Sequence, residues 1–260
     1  MKRRLPDRTL RLLVGFASIV ALLTVWQAAA DSGVVDVRFS SSPLRIAHSA
    51  SDMFGSPEFF QDAASSLAKF LWGMVWACAI GIPLGVAMGR NRRLRLMIDP
   101  IVMVFYSVPS TTFLPLIILW FGIGINAYAL LVFMGAVFPI LVNSMAGIRQ
   151  VDMSLIRAAR SFGASELDLF RLVLVPSALP FVMGGIRLGL GRGLIAVIFG
   201  EMYFSIAGIG HLIMRYQAGL NTDKLMLLVV VTAFFGVLTI ALARRIEGWL
   251  GPWRRFREIE

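Results

Sequence analysis

Six stretches of this chain are long and oily enough to cross a bilayer, and they fix the class of fold before any motif is considered. They cover residues 12–30, 67–89, 101–121, 127–148, 178–204 and 225–243. A membrane's hydrocarbon core is about 30 Å thick, so a helix needs roughly 20 apolar residues to span it. No water is available there, so each run must satisfy its own backbone as a helix. The runs occupy most of the 260 residues and leave no stretch for a separate soluble domain. The expected fold is all-α, a single integral membrane domain over 1–260 with six transmembrane helices.

Charge orients the spans. The net charge of +10 comes from 25 basic residues against 15 acids, and the basic residues gather at the ends of the runs. Lys2, Arg3, Arg4, Arg8 and Arg11 precede the first run; Arg90, Arg92, Arg93 and Arg95 follow the second. Arg149, Arg157, Arg160 and Arg171 follow the fourth, and Arg244, Arg245, Arg254, Arg255 and Arg257 follow the sixth. Segment 31–66 instead carries Asp31, Asp36, Asp52, Glu58 and Asp62 against Arg38 and Arg45. The positive-inside rule therefore places both termini and segment 150–177 in the cytoplasm, and 31–66 on the periplasmic side of the inner (plasma) membrane. Basicity here is topological: the lipid membrane is the expected partner and nucleic acid is not. Lys2-Arg3-Arg4, the first apolar run and Ala28-Ala29-Ala30 also fit a cleavable signal peptide. The length of that run and Trp26 near its end favour a retained span. Cys78 is the sole cysteine, so no internal disulfide forms and packing is its expected role.

Within the runs, three features stand out. Gly81, Gly85 and Gly89 recur every fourth residue, as do Gly185, Gly189 and Gly193. That spacing lays a smooth stripe along a helix against which another backbone can pack closely. The third run is interrupted by Pro109 and Pro115, with Pro100 just before it, and Ser107, Ser110, Thr111 and Thr112 surround the middle proline. On a straight helix Ser110 would stand about 16 Å beyond Asp99, near the midplane. Such a segment reads either as part of a solute path or as a kinked packing helix whose hydroxyls bond their own backbone. Asn143 in the fourth run fits either a cross-helix bond or a vestibule. The fifth run holds Arg187, Arg192 and Glu201, each needing a partner, water or a route to the interface. Arg187 and Glu201 are separated by about 21 Å of helix and cannot pair. Arg192, in mid-span, is expected in an ion pair or against an anionic solute.

The one polar stretch between two late runs is Arg157–Pro176. Helices are expected over 154–160 and 165–172, capped by Ser154 or Ser165 and separated at Gly163, with Pro176 and Pro180 opening the fifth span. Ala158 and Ala159 allow a partner to approach. A short amphipathic helix is expected around 56–66, on the outer surface.

The order Ala158-Ala159, Gly163, Val173-Leu174-Val175-Pro176 is similar to the cytoplasmic motif of binding-protein-dependent ABC transporter permeases. Arg157 stands where that motif usually begins with glutamate, and Val173 and Val175 replace isoleucine and leucine. Asp99-Pro100, Ser107-Val108-Pro109, Leu114-Pro115 and Leu119-Trp120-Phe121-Gly122-Ile123-Gly124 resemble the third-span signature of the nitrate, taurine and alkanesulfonate branch. Phe138-Pro139, Ala146-Gly147, Gly185-Ile186-Arg187-Leu188 and Gly200-Glu201-Met202 fit the same branch.

The resemblance implies a type I ABC importer permease fold and a homodimer. It also implies a cytoplasmic ATPase dimer docked on the 150–177 loop through Arg157, Ala158, Ala159, Gly163, Val173 and Pro176, and a periplasmic substrate-binding protein delivering solute. Taurine, alkanesulfonates and nitrate lead the implied substrates, with bicarbonate, cyanate, aromatic acids and vitamin precursors behind them. Ser107, Pro109, Ser110, Thr111, Thr112, Asn143, Arg192 and Glu201 are the candidate path residues. The sequence contains no G-x-x-x-x-G-K-[ST] phosphate loop, so ATP is expected on the partner subunit, with no catalytic residue, cofactor or metal held by this chain. An ion-coupled secondary transporter is the main rival, but no acid lies in mid-span. A membrane enzyme is disfavoured because His48 and His211 fall outside the runs, as expected of solvated loop residues, with no nucleophile or metal cluster beside them.

Overall fold

The computed structural model describes residues 7–250, which form helices and connecting turns with no strand among them. The basic residues expected beyond either end (Lys2, Arg3 and Arg4; Arg254, Arg255 and Arg257) lie outside the described residues. The helices are α1 (Asp7–Asp31), α2 (Pro43–Phe54), α3 (Pro57–Arg90), α4 (Arg92–Ser107), α5 (Leu114–Phe121), α6 (Ile125–Arg149), α7 (Met153–Ser161), α8 (Glu166–Phe204), α9 (Ile209–Ala218) and α10 (Thr222–Leu250). Single turns occur at Val37–Ser40 and, as a 3-10 helix, at Ser110–Phe113. Five helices are long and apolar enough to cross a membrane, or six if the bent pair α4 and α5 forms one span.

Two compact units are present: residues up to 60 with 212–231, and residues 61–211 with those from 232 onward. In the first unit, Asp223 ties a turn to a helix. It accepts from Ser41 Oγ at 2.7 Å and from the Arg45 guanidinium at 3.0 and 3.1 Å. Arg215 pairs with Glu58 there as well.

In the second unit α6 is the centre. It buries Leu131, Val132, Ala136 and Ile140 completely, and both glycine stripes lie against it. A Cβ on Gly81 would stand 3.1 Å from Ile140, and one on Gly89 would stand 2.7 Å from Ile148. From the other side, a Cβ on Gly185 would stand 2.8 Å from Asn143, on Gly189 3.1 Å from Ile140 and on Gly193 3.2 Å from Val132. Gly85 meets the Leu141 carbonyl and, at 2.8 Å, Ser144. Glycine at these sites brings α3 and α8 close to α6, where dispersion contacts and backbone proximity replace the hydrophobic drive that lipid does not supply. Cys78 packs at the edge of the resulting core.

Four expectations change. The third run is two helices meeting at 87°, so the straight-helix depth assigned to Ser110 does not hold. Val108 and Pro109 adopt extended backbone, and proline blocks a continuous ladder. The amphipathic helix expected at 56–66 is the first part of α3, which runs without a break from Pro57 through Pro83 to Arg90. The piece expected at 165–172 is not a separate helix; it runs through a π turn at Leu169–Leu174 into the rest of α8. The wide turn redistributes the backbone bonds where Pro176 offers no N–H. Finally, His48 and His211 lie on α2 and α9 rather than in loops.

Candidate functional site

The arginine-rich end of the second unit carries the polar segment. Asp152 caps α7, its carboxylate accepting from the Ser154 N–H at 2.8 Å; that bond holds the Asp152 carboxyl below the usual carboxylate range. The chain then turns at Gly163, whose φ of +80° favours a residue without Cβ. Ser165 and Asp168 form a reciprocal capping box at the start of α8. Glu166 bridges two arginines, Arg90 at 2.8 Å and Arg160 at 3.1 Å, which links the ends of α3 and α7 to the root of α8. Beneath this, Ile148, Val151, Leu169, Leu174 and Ala178 are buried together with Ala159 and Val173 packed against them. The outward side is apolar in an unusual way for a polar segment: Phe162 is 92% exposed and Leu155 50%. Arg157, Ala158 and Gly163 are exposed with them, whereas Ala159 and Pro176 are half-buried.

The break after Ser107 brings the 3-10 turn against α6 and α8. A Cβ on Gly135 would stand 3.4 Å from Ser110 Oγ, 3.3 Å from the Arg192 carbonyl and 3.5 Å from Ala196. The guanidinium of Arg192 lies 4.5 Å over the Tyr106 ring. Ser107 donates to the Met103 carbonyl at 2.8 Å, the self-satisfied geometry of a kinked helix. Asn143 likewise donates to Pro139 within its own helix, at 2.8 Å. Thr111 is half-buried, and Pro109 and Thr112 are exposed beside them.

The opposite end of α8 is arranged differently. Glu201 is 1% exposed and paired with Lys69 at 2.9 Å. Its carboxylate also accepts from Ser66 Oγ at 2.7 Å and from the Gly210 N–H at 3.0 Å. The Lys69 ammonium spends its other two protons on Ser205 Oγ at 3.2 Å and the Ala207 carbonyl at 2.7 Å. Asp62 accepts from the Gly208 N–H at 2.6 Å, and Ser66 from that of Ile209 at 2.8 Å. Gly208 has φ +129°, and a side chain there would enter the Glu201 carboxylate. Both charges are thus fully hydrogen-bonded, the condition under which a buried pair persists. Arg187, nearer the other end of α8, pairs with Glu247 on α10.

Sequence reasoning missed the partners Lys69, Ser66, Asp62, Tyr106, Glu166 and Glu247. A signal existed for the first: Lys69 and Glu201 are opposite charges near the ends of two apolar runs remote from the arginine clusters, and each needed a partner.

Known proteins resemble this chain in sequence and in fold. Residues 81–256 match the family described as binding-protein-dependent transport system inner membrane component. The taurine transport system permease protein TauC of Escherichia coli is 32% identical, the match covering 97% of this chain and 94% of TauC. The putative aliphatic sulfonates transport permease protein SsuC of Escherichia coli is 34% identical over 89% of this chain and 88% of its own length. Among solved structures, an inward-facing MetNI methionine ABC transporter superposes with a TM-score of 0.61 at 23% identity, covering 72% of this chain and 93% of that one. The chain belongs to the binding-protein-dependent inner membrane component family and is a multi-pass permease subunit of an ABC importer.

Proposed function

We propose that this permease works as a homodimer that moves a small oxyanion of the sulfonate type inward, powered by a separate cytoplasmic ATPase dimer and fed by a periplasmic binding protein. The taurine and sulfonate relatives point to the solute class. The observation that carries the mechanism is the arginine-rich end, where an exposed α7 with Phe162 at its tip is fastened to α3 and α8 through Glu166. A push on α7 is therefore delivered to the roots of the two helices packed on either side of α6. Arg157, Ala158, Ala159 and Gly163 form the docking surface, with Val173 and Pro176 supporting it from the start of α8. The chain binds no cofactor, and ATP is bound and hydrolysed by the partner. Both termini and α7 lie in the cytoplasm. Ser107, Pro109, Ser110, Thr111, Thr112, Asn143 and Arg192 belong to the translocation path, while Glu201 acts by holding the loop at its outer end.

Reconstitution in proteoliposomes with the ATPase and binding protein tests this. Radiolabelled taurine should enter only with ATP, and Gly163→Asp or Ala159→Trp should abolish uptake while ATP hydrolysis continues. Uptake driven by an ion gradient without ATP would establish a secondary transporter instead.

A further inference from the structure

Three cations lie inside the apolar runs, and two have acids: Lys69 holds Glu201, and Arg187 holds Glu247. Arg192 makes no ion pair among the described residues. It is exposed on the single chain, on a face of α8 shared with the exposed Leu188 and Ile195. A lone guanidinium on such a face does not rest against lipid, so the face is covered or wet. Beside it the chain leaves room, since a Cβ on Gly191 would meet no atom within 4 Å. The centre of its guanidinium lies over the Tyr106 ring, 4.5 Å from the centroid, and no hydrogen bond engages its N–H donors among the described residues. No hydrogen bond is made by the hydroxyls of Ser110, Thr111 or Thr112 among the described residues, and Ser110 reaches the same point on α6 as the Arg192 backbone.

We infer that Arg192, stacked on Tyr106, is the oxyanion-reading element of the permease, taking two oxygens of a sulfonate, nitrate or carboxylate edge-on while Ser110 supplies a neutral donor nearby. The inference rests on the path reading above and adds to it the ligand chemistry and the residue that fixes it. A planar fork pairs with two coplanar oxygens, which an ammonium cannot do with the same geometry. Tyr106 acts as a positioning residue: it sets the plane of the fork.

The test uses the full-length permease in lipid nanodiscs with methanesulfonate as probe, read by saturation transfer to its methyl protons. Transfer above empty nanodiscs should be displaced by nitrate and unaffected by tetramethylammonium. Arg192→Met should reduce it about tenfold or more, as expected for loss of charge-assisted bonds. Arg192→Lys, which keeps the charge and guards against a folding artefact, should lose less. Tyr106→Phe should retain the signal and Tyr106→Leu should lower it. No transfer to the wild-type protein, or equal transfer to Arg192→Met, overturns the inference. Failure of ATP-driven uptake by the wild-type importer would instead overturn the permease mechanism, so the two can fail separately.

Discussion

Two charges nine residues apart on α8 have opposite fates. Glu201 is enclosed and fully bonded, with Lys69, Ser66 and the Gly210 N–H around its carboxylate. Arg192 is exposed, with an aromatic ring on one side and no acid among the described residues. Both are expensive in a membrane helix, yet only one expense is settled within the fold. The contrast teaches that intramembrane charge alone does not mark a solute site. A charge whose hydrogen bonds are complete holds structure, and one with open valences awaits a ligand or partner.

The largest effect should come from breaking the settled site. Glu201→Ala leaves the Lys69 ammonium buried beside two neutral acceptors, at a cost of about 3–5 kcal/mol. Thermal unfolding in nanodiscs should show it, and a Lys69→Met/Glu201→Leu double variant should recover much of the loss. An unfolding midpoint unmoved by Glu201→Ala would erase the distinction between the two charges. Next in size is the scaffold that holds both. Gly85→Leu drives a side chain into the Leu141 carbonyl and Ser144 of α6, and should cost at least about 1–3 kcal/mol.

Arg192→Met should be far milder, losing about 0.5–1 kcal/mol with the Tyr106 contact, although it should weaken the proposed anion binding about tenfold or more. A stability loss matching that of Glu201→Ala would show Arg192 to be structural after all. At the exposed end, Glu166→Gln should cost only about 0.2–1 kcal/mol and less at high salt. Its signature is weakened coupling of ATP hydrolysis to uptake. The smallest effect is a pH dependence. Asp152 has its carboxyl held low by the Ser154 N–H, so its contribution to α7 is full above the ordinary carboxylate range and fades as pH falls through and below it. Asp152→Asn should flatten that acid limb in hydrogen exchange of α7 amides.

Much of this was legible in the chain because a membrane simplifies the reading. Apolar length alone marked the spans, and the four-residue glycine spacing marked which faces pack. The proline and hydroxyl cluster at 107–112 announced a discontinuity, though not an 87° turn. Gly163 and the Ser165 cap located the polar turn. The continuity of α8 through its π turn was hidden, since a proline at 176 looks like a helix start when only local bonding is considered.

The sequence by itself determined that this is a bundle of bilayer-spanning helices with one arginine-rich end, a broken third span and a polar turn after the fourth. Those properties depend on residue type and spacing along one segment. The tertiary structure alone decided that both glycine stripes meet α6, that Lys69 finds Glu201 across 132 residues, and that Arg192 meets Tyr106 and no acid among the described residues. Pairing of charges is a matter of three-dimensional proximity in a medium without water. Which charge is paired within the fold and which is left without an acid is therefore fixed only when the helices come together.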